Sequence, residues 1–326
     1  MPAPENDPEK LPPAPSGECR AVVDVGTNSV KLLVAHVDGS RVDPIVEKGN
    51  QTRLGDGFFA TRRLRPDAIA RTARAVAAFR DEARSHAPAR FRTIATAAAR
   101  EAENRTDLLL ALESAAGVPV EIISGDLEAE WAFRGVSTLP GLGEPPLLVA
   151  DVGGGSTELI VGRAGRVAFR RSFPVGAVRL LENLRVPGDP VRGDLEACRT
   201  HLDAWLTVHA HDAVREALDG VDGTLEFVGV GGTASVLACM ILGLVSFDRN
   251  RIESTRISPG TLTEWTEKLW SLPLAERRRI PGLPPERADV ILTGAAIYEA
   301  LIRNLRLPAL RPSTRGLRFA ALIDAR

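Results

Sequence analysis

The chain has 326 residues, enough for two domains that each bury a core. Its 44% hydrophobic and 25% charged residues are typical of a soluble globular protein, and a formal net charge of −1 speaks against nucleic acid or an anionic membrane as partner. The cysteines Cys19, Cys198 and Cys239 are too far apart for a disulfide framework or a zinc spacing, and no apolar run reaches the about 20 residues of a membrane span. We therefore expect a cytoplasmic protein.

The chain opens with a predicted disordered leader, residues 1–18, which is rich in proline and acidic residues. The apolar pattern then predicts a β-meander whose first two strands are joined by a tight turn at Gly26–Asn28, and Gln51–Phe59 reads as a loop. The three predicted strands are Arg20–Val25, Val30–His36 and Val42–Lys48.

Strands and helices alternate further along the chain. Pro66 begins a helix, Phe91–Ala95 and Val118–Ile123 are predicted strands, and Thr106 is expected to cap a helix that ends at Gly117. A linker-like segment at 140–146 precedes a second strand-rich stretch, which again passes into helices. This order predicts two α/β domains, 19–125 and 126–315, with the C-terminal helix 316–326 packing back on the first.

A duplicated hairpin relates the two domains. The stretches AVVDVGTNSVKLLVA and LVADVGGGSTELIVG align at a shift of 127 positions, which places Asp24 on Asp151. Glycines allow the backbone to approach an oxyanion, and successive N–H groups in such a turn form an anion-binding concavity. An aspartate repels phosphate, so it suits a cation instead, and Glu158 on the returning strand can join it. Two matching turns predict a phosphate clamp.

Several blocks of the chain, in order, resemble motifs of the exopolyphosphatase and guanosine pentaphosphate phosphohydrolase family. They include DVGTNSVKLLVA, ATAAAREAEN, IISGDLEAE, ADVGGGSTELIVG, SFPVGAVRLLE and GLPPERADVILTGAAI, and they extend from about Arg20 to the C-terminus. The resemblance implies duplicated actin-like, sugar-kinase-like domains that face each other across a cleft. It also implies Mg²⁺-dependent hydrolysis of a terminal phosphate, with K⁺ as a candidate second ion, and a homodimer without the helical extension of longer members.

The resemblance also implies a role for individual residues. Glu128 matches the glutamate that activates the attacking water. The metal-linked carboxylates are Asp24, Asp151 and Glu158, of which Asp24 faces the ion from the first domain. The phosphate-binding residues are Gly26, Thr27, Asn28, Ser29, Arg100, Gly153, Gly154, Gly155 and Ser156.

The chain departs from the family beside Glu128, where Leu127 replaces an acid and Glu130 an arginine. Inorganic polyphosphate is the expected substrate, and guanosine pentaphosphate (pppGpp), an ATP-dependent kinase and a non-catalytic sensor remain alternatives. Gly229–Ser235 serves close packing or an adenosine pocket, with packing favoured. Arg179 is expected either to form a salt bridge at the edge of the core or to line the cleft. The run Arg277–Arg279 is expected to be solvated.

Overall fold

Two five-stranded mixed sheets form the framework of the computed structural model, which describes residues 17–186, 188–191 and 193–324. Residues 1–16 of the predicted leader and 325–326 of the predicted C-terminal helix lie outside the described residues. The first sheet has the order β3-β2-β1-β4-β5 and the second the order β8-β7-β6-β9-β10. The strands are β1 (Glu18–Val25), β2 (Val30–Asp38), β3 (Arg41–Asn50), β4 (Arg90–Ala95), β5 (Val120–Ile122), β6 (Leu147–Val152), β7 (Thr157–Arg163), β8 (Arg166–Phe173), β9 (Glu226–Val230) and β10 (Leu310–Pro312).

The two sheets repeat each other in pairing as well as in order. In each, the first three strands are antiparallel and the last two add in parallel. A register shift follows Val34 in β2 and Val161 in β7, positions separated by the same 127 residues as the hairpins. The duplication predicted from the sequence therefore includes an irregularity that the residue pattern did not indicate.

Helices cover the sheets and connect the parallel strands. They are α1 (Phe58–Thr61), α2 (Pro66–Ser85), α3 (Ala97–Glu101), α4 (Arg105–Ala116), α5 (Gly125–Ser137), α6 (Ala177–Asn183), α7 (Asp194–His209), α8 (His211–Asp219), α9 (Gly231–Leu242), α10 (Arg249–Ser254), α11 (Pro259–Ser271), α12 (Leu274–Arg277), α13 (Ile291–Leu305) and α14 (Leu317–Ile323). Along the described residues, no helix combines the length and apolar character needed to cross a bilayer.

Each sheet buries its own core, and α5 and α14 lie between the sheets. One face of α5, with Ala132 and Phe133, packs on the second sheet, whereas Trp131 joins a cluster with β1, β2 and Phe319 of α14. The helix α14 contacts the strands β1, β2 and β3 as well as α5. This packing fixes the start of α5, and with it Glu128, against both halves of the chain.

Two local predictions were wrong. Thr106 does not cap α4, which begins at Arg105, and the preceding Asn104 instead bonds both the N–H (2.8 Å) and the carbonyl (3.0 Å) of Leu64. Arg277 is not solvated but fully buried. Its guanidinium donates to the carbonyls of Ala288, Leu272 and Gly188 at 2.6–2.8 Å.

Candidate active site

Two polar turns follow β1 and β6 and meet in the cleft between the sheets. Gly26–Ser29 and Gly153–Ser156 each contain a bond from the first N–H to the last carbonyl, at 3.0 Å in both. A Cβ atom at Gly155 would lie 2.8 Å from Oγ1 of Thr27, so only glycine fits where the turns touch. Both turns line a cavity of about 80 Å³, together with Asp24, Lys31, Glu128, Asp151 and Arg287.

The carbonyl groups of the first turn are held from behind by the loop that follows β3. The N–H of Arg53 donates to the carbonyl of Asn28 at 2.9 Å, and the N–H of Gly55 donates to that of Thr27 at 2.8 Å. A trans peptide directs its N–H opposite to its C=O. The N–H groups of Asn28 and Ser29 therefore point away from this loop.

The second turn is held in the same way by the start of α6. The N–H groups of Ala177 and Val178 donate to the carbonyls of Gly153 and Gly154, at 2.8 and 2.9 Å. In the part of the chain that the structure describes, the N–H groups of residues 27–29 and 154–156 donate to no protein acceptor. Such paired concavities of free amides are anion sites.

Glu128 lies in the first turn of α5, which Ser124 caps by accepting the N–H of Leu127 at 3.2 Å. The residue is 7% exposed, and Oε2 of its carboxylate accepts a bond from Arg100 at 2.6 Å. Burial raises the pKa of Glu128 to about 7, although Arg100 opposes the shift. A carboxylate with such a pKa is suited to act as a general base near neutral pH.

Arg100, predicted to bind phosphate, is engaged with Glu128 and with the carbonyl of Ile123, at 3.0 Å. It lines a neighbouring cavity of about 480 Å³ together with Ser156 and Arg171. This position makes Arg100 the partner that orients Glu128, and its contact with phosphate remains a prediction.

The predicted metal carboxylates divide into two kinds. Asp24 and Asp151 line the cavity, and Oδ1 of Asp24 is buried without a hydrogen-bond partner. Glu158 pairs with Asp151 across β6 and β7, is 1% exposed, and accepts a bond from Ser172 at 2.6 Å. Burial raises the pKa of Asp24 and raises that of Asp151 to about 6. Burial also raises the pKa of Glu158, and repulsion from Glu128 and Asp151 raises it further.

This excess of buried negative charge fits a hard cation. Within the described residues, no three His, Cys, Asp or Glu side chains converge as a complete ligand set. Mg²⁺ needs no such set, because it keeps several waters and binds through one or two carboxylates plus substrate phosphates. The unpartnered Asp24 oxygen and the nearby Asp151 provide carboxylates of this kind.

Arg287 is a site residue that the sequence analysis missed. Burial lowers its pKa to about 10, and it lines both the central cavity and an adjoining one of about 370 Å³. A side chain at Gly232 would overlap its guanidinium. The Gln51 amide, turned with its oxygen toward Arg287, accepts from Nε at 2.6 Å and from Nη2 at 3.0 Å. The family block GLPPERADVILTGAAI contains Arg287 but does not indicate its role, which depends on a glycine 55 residues away in the chain.

The structure also shows the surroundings of the glycine-rich run 229–235 and of Glu130. In the run 229–235, Gly229 serves packing, since a Cβ there would meet Leu310 at 2.8 Å, whereas a side chain at Gly231 would overlap Asp151. Glu130 pairs with Arg170 at 2.9 Å, outside the cavity lining.

The comparisons with known proteins agree with this geometry. The model of the Ppx/GppA phosphatase family matches residues 32–325. The chain belongs to this family. It is 32% identical to Exopolyphosphatase 2 of Mycobacterium tuberculosis, with 88% of this chain and 90% of that protein covered.

Solved structures are similar over nearly the whole chain. The Aquifex aeolicus PPX-GPPA enzyme matches with a TM-score of 0.75 and 27% identity, covering 94% of this chain and 99% of that one. An exopolyphosphatase from Cytophaga hutchinsonii matches with a TM-score of 0.82 and 25% identity, covering 94% and 96%. The predicted fold class, an α/β protein with duplicated actin-like domains, is confirmed, as is the prediction of a phosphate-hydrolysing enzyme.

Proposed function

We propose that this chain is an exopolyphosphatase, which removes the terminal phosphoryl group of inorganic polyphosphate by hydrolysis. The observation that carries the proposal is the pair of amide-lined turns facing one cavity that also holds Glu128. Phosphoryl transfer depends on positioning and charge neutralisation, which such a cavity provides. The relative named Exopolyphosphatase 2 supports polyphosphate as the substrate.

The residues of the chain have distinct parts in this reaction. The free N–H groups of the two turns bind the oxygens of the terminal phosphoryl group, and Lys31 and Arg287 bind the phosphates that follow. Glu128 accepts the proton of the attacking water, while Arg100 holds its carboxylate in place. Backbone N–H groups of neighbouring segments bond the carbonyls of each turn, so the N–H groups of the turns need little reorientation during the reaction.

Mg²⁺ is the cofactor we assign to Asp24 and Asp151, with Glu158 supporting Asp151 from the neighbouring strand. When bound, the ion neutralises charge on the substrate phosphates. A monovalent ion such as K⁺ is a further candidate, and titration of both ions against activity tests the assignment.

The deciding experiment measures phosphate release from long-chain polyphosphate without any acceptor, with and without Mg²⁺. Release that depends on Mg²⁺ supports an exopolyphosphatase. An ATP-dependent kinase of the same fold would need an acceptor, and a sensor would bind polyphosphate without turnover. Absence of release from polyphosphate would overturn the proposal.

A second candidate substrate is pppGpp, cut at its 5′ end. The cavity of about 370 Å³ beside the turns favours it, because Gly231, Ser235 and the exposed ring of Phe247 line a space large enough for a nucleoside. Parallel assays on polyphosphate and pppGpp rank the two substrates by kcat/KM.

A cytoplasmic homodimer completes the proposal. The cytoplasm agrees with three free cysteines, whereas the dimer rests on the family resemblance alone. Light scattering of the purified chain gives its molecular mass and so tests the dimer.

A further inference from the structure

The first residues of α6 hold three successive carbonyl groups of the second turn. Backbone N–H groups of residues 177–179 bond the first two carbonyls, whereas the third is bonded by a side chain, since Nε of Arg179 donates to the carbonyl of Gly155 at 2.7 Å. This bond fixes the peptide between Gly155 and Ser156. The N–H of Ser156 is consequently directed away from Arg179.

The same guanidinium also reaches the other half of the chain. Nη2 of Arg179 donates to Oε1 of Glu101 at 2.6 Å, and the guanidinium carbon lies 4.2 Å from the ring centre of Phe59. Glu101 is adjacent to Arg100, which holds the carboxylate of Glu128. Arg179, whose side chain is 12% exposed, thus connects the second turn to the elements around the proposed base.

Three residues further along α6, Glu182 makes a second connection across the cleft. Its carboxylate accepts the N–H of Gly57 at 2.7 Å and that of Phe59 at 3.2 Å. These residues continue the loop whose Arg53 and Gly55 hold the carbonyls of the first turn. The segments behind the two turns are therefore bonded to each other.

We propose that Arg179 and Glu182 form a clasp across the cleft that sets the relative position of the two phosphate turns, which makes Arg179 a positioning residue for hydrolysis. The inference rests on the proposed function. An error of about 1 Å in the placement of reacting groups can reduce a rate about 10²-fold. Backbone bonds hold each turn. The polar contacts of Arg179 and Glu182 join the two turns on the α6 side, and the ion pair of Arg53 with Asp289 at 2.7 Å joins the two halves separately.

The test compares Arg179→Met and Arg179→Lys with wild type on long-chain polyphosphate. In Arg179→Met we expect kcat/KM to fall about 10²-fold, mainly in kcat, because substrate still reaches misaligned turns. Arg179→Lys stays impaired, since one ammonium cannot replace the forked contacts to Gly155 and Glu101. Arg62→Met is the matched control, because Arg62 also pairs with Glu101, at 3.4 Å and on an exposed surface, and we expect its rate within about twofold of wild type.

The double variant Arg179→Met/Glu182→Gln separates a clasp from two independent contacts. If the residues act as a unit, the double variant loses about as much as Arg179→Met alone, whereas multiplied losses would contradict the clasp. Thermal unfolding identifies any variant that fails to fold. In that case the test uses Glu182→Gln, the mildest change, and measures kcat and KM separately. A loss confined to kcat supports the clasp, and unchanged kcat overturns it.

Failure of the clasp and failure of the proposed function give different results. Wild-type turnover of polyphosphate with equal turnover by Arg179→Met would overturn the clasp and leave the function intact. If wild type releases no phosphate, the function is wrong, and small-angle scattering then tests the clasp. A larger radius of gyration in Arg179→Met/Glu182→Gln supports it, and an unchanged radius overturns it.

Discussion

The two hairpins have the same turn but opposite charges at the second residue of the returning strand, Lys31 in one and Glu158 in the other. Asp24 pairs with Lys31 across the first hairpin, and Asp151 pairs with Glu158 across the second. Both turns have a closing bond of 3.0 Å, and Asp24 is buried whereas Asp151 is half-buried. The two copies share the backbone of the turn, and in the proposed function the divergence at this position separates a phosphate-binding hairpin from a metal-binding one.

The largest expected effect concerns Glu128, which lies outside both hairpins. If the hairpins bind and Glu128 performs the chemistry, Glu128→Gln should lower kcat by about 10²–10⁴-fold, while calorimetry still detects polyphosphate binding. Glu130→Gln, on the same helix but paired with Arg170, is the control and should keep its turnover. Full turnover in Glu128→Gln would show that Glu128 is not the general base and that residues of the hairpins perform the chemistry.

The next effect tests the phosphate side of the comparison. Lys31→Met removes a half-buried cation that lines both cavities, and a charge-assisted bond to phosphate contributes about 1.5–3 kcal/mol. We expect KM for polyphosphate to rise about 10–100-fold, with a weaker dependence of binding on salt. Glu158→Gln, at the matching position of the second hairpin, should leave polyphosphate binding nearly unchanged. Equal losses in both variants would show that the copies are not specialised.

A smaller effect tests the metal side. Asp151→Asn keeps the shape of the side chain but removes its charge, so we expect half-maximal activity to need about tenfold more Mg²⁺. A Mg²⁺ titration of phosphate release measures the shift, and Glu130→Gln is the comparison because Glu130 pairs with Arg170 outside the cavity and its Mg²⁺ requirement should not change. An unchanged Mg²⁺ requirement in Asp151→Asn would show that Asp151 does not bind the ion.

The smallest effect is one of stability. Since burial raises the pKa of Glu128 from 4.5 to about 7, the folded chain retains a proton that the unfolded chain loses, and its free energy of unfolding falls as pH rises across that interval. In Mg²⁺-free buffer at pH 8, Glu128→Gln lacks this penalty, and its Tm should exceed that of wild type by about 2–4 °C. At pH 4.5 the difference should disappear, which calorimetry can follow. A lower Tm at pH 8 would mean that the charge of Glu128 stabilises the fold.

What the sequence predicted well was local or repeated. The strand–turn–strand units, the Gly117 end of α4 and the offset between Asp24 and Asp151 depend on residues close in the chain or on a visible duplication. Arg277 was misplaced because a charged run is normally solvated, and Arg287 was given no role because its neighbours in the chain do not show what it contacts. Their carbonyl cage and glycine-lined cavity are assembled from distant segments.

The contact between the turns has an evolutionary consequence. A Cβ added at Gly155 would lie 2.8 Å from Oγ1 of Thr27 in the other turn, and one added at Gly154 would lie 3.2 Å from Cβ of Thr27. Neither copy can accept a larger residue unless the other yields space, so the two halves must change together. A chimera that joins halves of divergent relatives should lose its active geometry unless both turns come from one parent.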